Sequence, residues 1–310
     1  MRIFLLFILV SLCGCVSFPD APQAVQTPNI EGNRFVARDG AHLTLDIWEA
    51  EQPTAIFIAL HGMNDYAHAF ALPGRYWADH AGITTYALDQ RGFGRSPQFG
   101  HWVGQDTLIA DLTGLIKAVH YRHPNTPVFV VGHSMGAAVV MSAQLKNPLN
   151  VDGFILAAPG IWGGSALPIP YRLSANFAAT FAPGKTLTGE RADRQASDNI
   201  ELLRAMYYDQ HVVKETRLDA IVGVIRVMGT AYEGADEIDG NILFLMGEKD
   251  EIIPLKAMEK TAMRLSGDVT IRRYPDGWHL LFRDLQGETV WRDVADWVSR
   301  MTENKSSPEG

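Results

Sequence analysis

Apolar residues along this chain fall into short unbroken runs separated by stretches with helical spacing. Ala55–Leu60 reads AIFIAL, Ile83–Leu88 reads ITTYAL, and further runs lie at residues 128–131, 151–157, 242–246 and 269–274. Such runs are too short for helices and rich in β-branched or aromatic side chains, as strands buried on both faces are. Helical spacing marks residues 70–81, 106–121, 135–145 and 255–265, and a last amphipathic helix carries Trp291, Val294, Trp297 and Val298. Upstream, apolar residues at 35–37 and 43–48 flank Asp39-Gly40, a pair that predicts a β-hairpin. The alternation stops over residues 161–237, where a Pro/Gly-rich piece (GGSALPIPY) precedes helix-like segments at 199–208 and 216–230. The pattern predicts an α/β fold: a mostly parallel sheet with helices on both faces, a hairpin at one edge and an insertion after the sixth strand.

Composition narrows the class. At 310 residues and 47% hydrophobic, the chain buries a sizeable core as one large domain or as a core plus an insertion. Charge is mildly acidic, 27 Lys+Arg against 35 Asp+Glu, and no basic run points to a nucleic-acid partner. No apolar stretch reaches the roughly 18 residues of a membrane span.

The first residues have their own signature. Met1-Arg2 supplies a positive charge ahead of IFLLFILVSL, the length of a signal-peptide apolar region. Leu12-Cys13-Gly14-Cys15 follows, with Leu at −3 and Gly at −1 relative to Cys15, and resembles the lipobox of bacterial lipoproteins. That resemblance implies cleavage after residue 14, acylation of Cys15 and anchorage of an exported protein in a bacterial envelope membrane. An ordinary cleaved signal peptide, or a cytosolic chain with an apolar start, would show the same run. Cys13 is the poorer acceptor, because Leu12 occupies its −1 position. Both cysteines lie here, so the mature domain is expected to carry no disulfide. Residues 15–33, rich in Pro, Gln and Asn, read as a flexible tether.

Candidate chemistry centres on Gly132-His133-Ser134-Met135-Gly136, a G-x-S-x-G pattern delivered by the run at 128–131 into a helix of small residues. A serine on such a turn is lifted clear of the sheet above a helix N-terminus. A hydroxyl is a weak nucleophile, so it needs a base, an orienter for the base and donors for an oxyanion. Downstream of Ser134 the histidines are His211 and His279. His211 lies in a charged stretch (YYDQHVVKE), whereas His279 follows the last strand at the sheet edge where parallel α/β folds place their chemistry. For the acid, Asp250 is favoured in the loop after residues 242–246, with Glu248 and Asp276 as rivals. The order Ser, Asp, His along the chain suits a hydrolase of this kind. Oxyanion donors are expected from the N–H of Met135 and of Met63, in His61-Gly62-Met63-Asn64, with Gly62 allowing close approach and His61 buttressing the loop. Gly92-Phe93-Gly94-Arg95-Ser96-Pro97 breaks a dinucleotide fingerprint at its third glycine. His120 and His123 lack the partners of a metal set, so neither a metal nor a cofactor is expected.

HGMND, DQRGFGRS, GHSMG, GEKD and GWH, in this order, resemble the α/β-hydrolase superfamily, and within it the monoacylglycerol lipase and lysophospholipase group. The resemblance covers roughly residues 34–300, with Ala137 where a third glycine is usual. It implies an α/β-hydrolase fold in which residues 161–237 form a helical cap. It also implies Ser134 as nucleophile, Asp250 as acid, His279 as base, and Met63 and Met135 N–H groups as the oxyanion hole. The expected organisation is a signal peptide at 1–14, the tether at 15–33, a hydrolase domain at 34–305 and a disordered tail at 306–310. The expected activity is hydrolysis of a small lipid ester, a monoacylglycerol or lysophospholipid, at a membrane reached through Cys15. A serine aminopeptidase or general carboxylesterase is the runner-up. A lipid-anchored binding protein that has lost catalysis is a third reading. An aminopeptidase would draw on acidic cap residues such as Glu190, Asp193, Asp198 and Glu201. Leu167, Ile169, Tyr171, Phe177 and Phe181 would line an acyl tunnel, rest on a membrane or form the cap's own core.

Overall fold

Each of the short apolar runs is a strand, and the strands join one nine-stranded sheet in a computed structural model that describes residues 16–189 and 194–306. The strands are β1 (Asn29–Glu31), β2 (Arg34–Val36), β3 (His42–Trp48), β4 (Ala55–Leu60), β5 (Ile83–Leu88), β6 (Val128–His133), β7 (Gly153–Ala157), β10 (Asn241–Gly247) and β11 (Asp268–Tyr274). They lie in the order β1-β2-β3-β5-β4-β6-β7-β10-β11. From β5 to β11 every pairing is parallel, while β1, β2 and β3 are antiparallel at one edge.

Alternation along the central strands divides the core. Ile56, Ile58, Val128 and Val130 face one layer together with Leu112, Val139 and Met258. Phe57, Ala59, Phe129 and Val131 face the other, with Trp77, Val294 and Trp297. The first layer holds α2 (Gln105–Arg122), α3 (Met135–Lys146) and α7 (Leu255–Ala262); the second holds α1 (Ala71–Ala81) and α8 (Gly287–Ser306). The predicted α/β-hydrolase sheet with helices on both faces is the observed one.

Three expectations change. The stretch read as a tether is largely docked: β1 pairs with β2, the Val25 and Gln26 N–H groups donate to the Arg38 carbonyl, and Phe18 packs edge-on against Trp102 at 6.3 Å. Low apolar content suggested freedom, but an open strand edge and one aromatic ring suffice to hold the segment. The extra strand also renumbers the sheet, so Ser134 follows the sixth strand and the cap follows the seventh. Finally, the Pro/Gly-rich piece leads into α4 (Ile169–Phe181), because Pro170 sits in the first turn, where a missing N–H costs nothing.

The cap between β7 and β10 also contains α5 (Ile200–Tyr208), α6 (Leu218–Glu233) and a two-stranded ribbon of β8 (Thr186–Thr188) and β9 (Glu215–Arg217). Cys15, Glu190, Asp193 and residues 307–310 lie outside the described residues.

Candidate active site

The turn from β6 into α3 is as tight as the two glycines permit. A Cβ on Gly132 would lie 2.5 Å from the Ala137 Cα, and one on Gly136 would lie 2.2 Å from the Leu60 carbonyl oxygen. Strand and helix meet there at backbone distance. Between them Ser134 adopts φ 52°, ψ −116°, a strained conformation for a residue with a side chain. Hydrogen bonds from its N–H to the Ala157 carbonyl (3.0 Å) and from Gly160 N–H to its own carbonyl (2.8 Å) hold it in place.

The structure brings Ser134, His279 and Asp250 together. Ser134 Oγ lies 2.9 Å from His279 Nε2, and His279 Nδ1 lies 2.8 Å from Asp250 Oδ2. A carboxylate only accepts, so the imidazole proton belongs on Nδ1 and the Nε2 lone pair faces the serine hydroxyl. The other oxygen of Asp250 accepts the Ile252 and Ile253 N–H groups at 2.8 and 2.9 Å. Burial works to raise the Asp250 carboxyl; His279 and these two amides overcome it and hold the group below the usual carboxylate range. The rivals are elsewhere. Glu248 faces Arg273, Asp276 is exposed and bound to Lys249, and His211 packs beside the Tyr66 ring in the cap.

The loop after β4 reaches the same point. A Cβ on Gly62 would lie 3.2 Å from the Ser134 Cβ, a tight contact that glycine avoids. His61 buttresses the loop as expected: its Nε2 accepts the Gln90 N–H (3.0 Å), leaving the proton on Nδ1 to donate to the Gly62 carbonyl (2.8 Å). In a trans peptide that carbonyl and the Met63 N–H point opposite ways, so pinning one aims the other. Met135, at the first position of α3, presents its N–H from the helix start. Gln90 is fixed in turn by ion pairs of the DQRGFGRS turn, Arg91 with Asp39 and Asp111 at 2.7 and 2.8 Å and Arg95 with Asp89 at 2.8 Å. The segment that resembled half a dinucleotide fingerprint therefore supports this loop. His120 and His123 are held apart by Asn150 and Tyr86.

Sequence reasoning missed several supports. His133 is buried, and its Nε2 donates to the His279 carbonyl at 2.8 Å. Burial pushes its imidazole down to about 3, with His279 adding to the effect, so the ring is neutral. Asp65 and Arg283 form a buried ion pair between the loop after β4 and the loop after His279. No residue spacing announces these contacts, because each joins segments far apart in the chain.

Within the cap, Leu167 is buried, but Ile169, Tyr171, Leu173, Phe177 and Phe181 are each at least 60% exposed. The latter side chains neither line a tunnel nor form a cap core. Asp198 accepts the Leu285 N–H at 2.9 Å, and Glu201 is exposed.

The family model described as serine aminopeptidase, S33 (Hydrolase_4) matches residues 51–286. The chain belongs to this family. As a member of it, the protein is a serine hydrolase with an α/β-hydrolase fold. It is 26% identical over 272 residues to a monoacylglycerol lipase of Mycolicibacterium smegmatis, covering 85% of this chain and 95% of that one. Identity to the monoglyceride lipase of Homo sapiens is 21% over 290 residues, covering 91% of this chain and 94% of that one. Among solved structures, a soluble variant of monoglyceride lipase from Saccharomyces cerevisiae, in complex with a substrate analog, superposes with a TM-score of 0.75 at 20% identity, covering 91% and 99%.

Proposed function

We propose that this serine ester hydrolase cleaves monoacylglycerols at a membrane surface through an acyl-enzyme on Ser134. The observation that carries the chemistry is the hydrogen-bonded chain from Ser134 through His279 to Asp250. His279 takes the hydroxyl proton as Ser134 attacks the ester carbonyl, and the Met63 and Met135 amides hold the oxyanion. His279 then protonates the leaving glycerol and afterwards activates the water that releases the fatty acid. Asp250 keeps the imidazole in the required tautomer and stabilises its charged form.

The exposed cap helix and the likeness to monoacylglycerol lipases support a lipid ester as substrate. The aromatic and aliphatic face of α4 is an exposed apolar patch that folding does not account for, and a lipid surface would cover it. Lysophospholipids remain the second lipid class to test. The peptidase reading is weaker: of the four acidic cap residues named for it, Asp198 is engaged by a backbone amide and Glu201 faces solvent, which leaves neither poised for a substrate ammonium. Among the described residues no helix is long and apolar enough to cross a membrane, so attachment would rest on acylated Cys15 and on the α4 face.

A panel of monoacylglycerols, lysophospholipids, p-nitrophenyl esters and aminoacyl amides decides between these readings. Monoacylglycerols should give the highest kcat/KM. Preferential turnover of the amides would overturn the proposal.

A further inference from the structure

The loop bearing His279 is tied to one short stretch of the cap. Leu280 N–H donates to the Ala196 carbonyl at 2.9 Å, and the Asn199 side-chain amide donates to the Arg283 carbonyl at 3.1 Å. At the centre is Asp284. One of its carboxylate oxygens accepts the Ser197 hydroxyl at 2.6 Å, and the other accepts the N–H of Trp278, the residue before His279, at 2.7 Å. Ser197 is fully buried and Asp284 is 5% exposed. The same cap stretch reaches the neighbouring loop, where Gln195 N–H donates to the Glu251 carboxylate at 2.7 Å, one residue beyond Asp250. Residues 195–199 thus bridge the two loops that carry the acid and the base.

We propose that Asp284 is a positioning residue for His279, and that the Asp284–Ser197 contact makes the seated cap part of what aims the imidazole. The geometry leaves the His279 backbone little freedom. Asp284 grips the amide before it, His133 holds its carbonyl, and Ala196 holds the next amide. Releasing the Asp284 grip lets the ring drift from Ser134 Oγ, and a displacement of about 1 Å at a reacting group costs up to about 10²-fold in rate. The expected loss therefore falls on kcat rather than on KM.

The inference rests on the assignment of His279 as the base, and the test separates the two. Asp284→Ala, Asp284→Asn and Ser197→Ala are assayed with a p-nitrophenyl ester, and kcat is expressed per site counted by end-point fluorophosphonate labelling. Asp284→Ala should lose about tenfold or more in kcat with KM within about twofold. Asp284→Asn, whose amide oxygen still accepts the Trp278 N–H and whose NH2 meets the Ser197 oxygen, should return kcat to within about threefold. Ser197→Ala removes only the cap's half and carries the test if Asp284→Ala does not fold; its kcat should fall about threefold or more. Unchanged kcat in the alanine variants, a change confined to KM, or no rescue by asparagine would overturn the proposal. A His279→Ala variant retaining wild-type turnover would instead overturn the assignment of the base.

Discussion

Ser134 bears its strain because its surroundings leave it no other conformation. A backbone at φ 52° survives at a non-glycine residue only when neighbours over-determine it, and here two glycines, Ala157 and Gly160 do so. His133 sits next to it and is responsible for a pH effect. Burial pushes its imidazole from about 6.5 down to about 3, so protons bind the unfolded chain preferentially between those values. Stability contributed by the neutral ring is therefore present above pH 6.5 and lost as pH falls toward 3. At pH 5 the loss is about 2 kcal/mol. A His133→Gln variant retains a donor for the His279 carbonyl without titrating, so its melting temperature should fall less between pH 7.5 and 5 than that of the wild type. Equal falls would refute the assignment. At this scale Ser134, Asp250 and His279 were legible, because each sits just after an apolar run and chain order matched chemistry. Asp284 and Ser197 were not, since a buried carboxylate meeting a hydroxyl 87 residues away leaves no local pattern.

Among the elements, α4 is the one whose composition and burial disagree. Of its 13 residues only Ala179 is buried, while the Phe177 and Phe181 rings pack tilted at 4.7 Å on the outside. Val16 and Phe18 pack against the buried cluster of Ala179, Leu218 and Val222, so the segment immediately after Cys15 sits against α4 and α6. A lipid on Cys15 would then enter a membrane beside the exposed face of α4. Cys15→Ser in the full chain should abolish incorporation of labelled fatty acid, and persistent label would contradict the anchor. On that unanchored background, flotation with phosphatidylglycerol/phosphatidylcholine vesicles should fall about tenfold or more when Phe177→Glu is added. Undiminished flotation would mean that α4 does not meet lipid. The helix itself escaped sequence reading because two prolines and several glycines in and just before it look like a loop until their places in the first turn are known.

For the whole molecule, the central sheet was readable because β4, β5 and β6 are buried throughout and therefore appear as unbroken apolar runs. Edge elements were harder. β1 has three residues, is paired on one side only and carries a mixed pattern that a tether would share. The cap was recognisable as a break in alternation, but its grip on the two loops at the sheet edge is a property of the folded chain alone. Sheet, turn and cap converge on one serine, and a fluorophosphonate probe followed by peptide mass spectrometry tests that convergence most directly. A single adduct on the peptide containing Ser134, absent from Ser134→Ala together with ester turnover, is the predicted result. An adduct on another residue, or turnover that survives in Ser134→Ala, would contradict it.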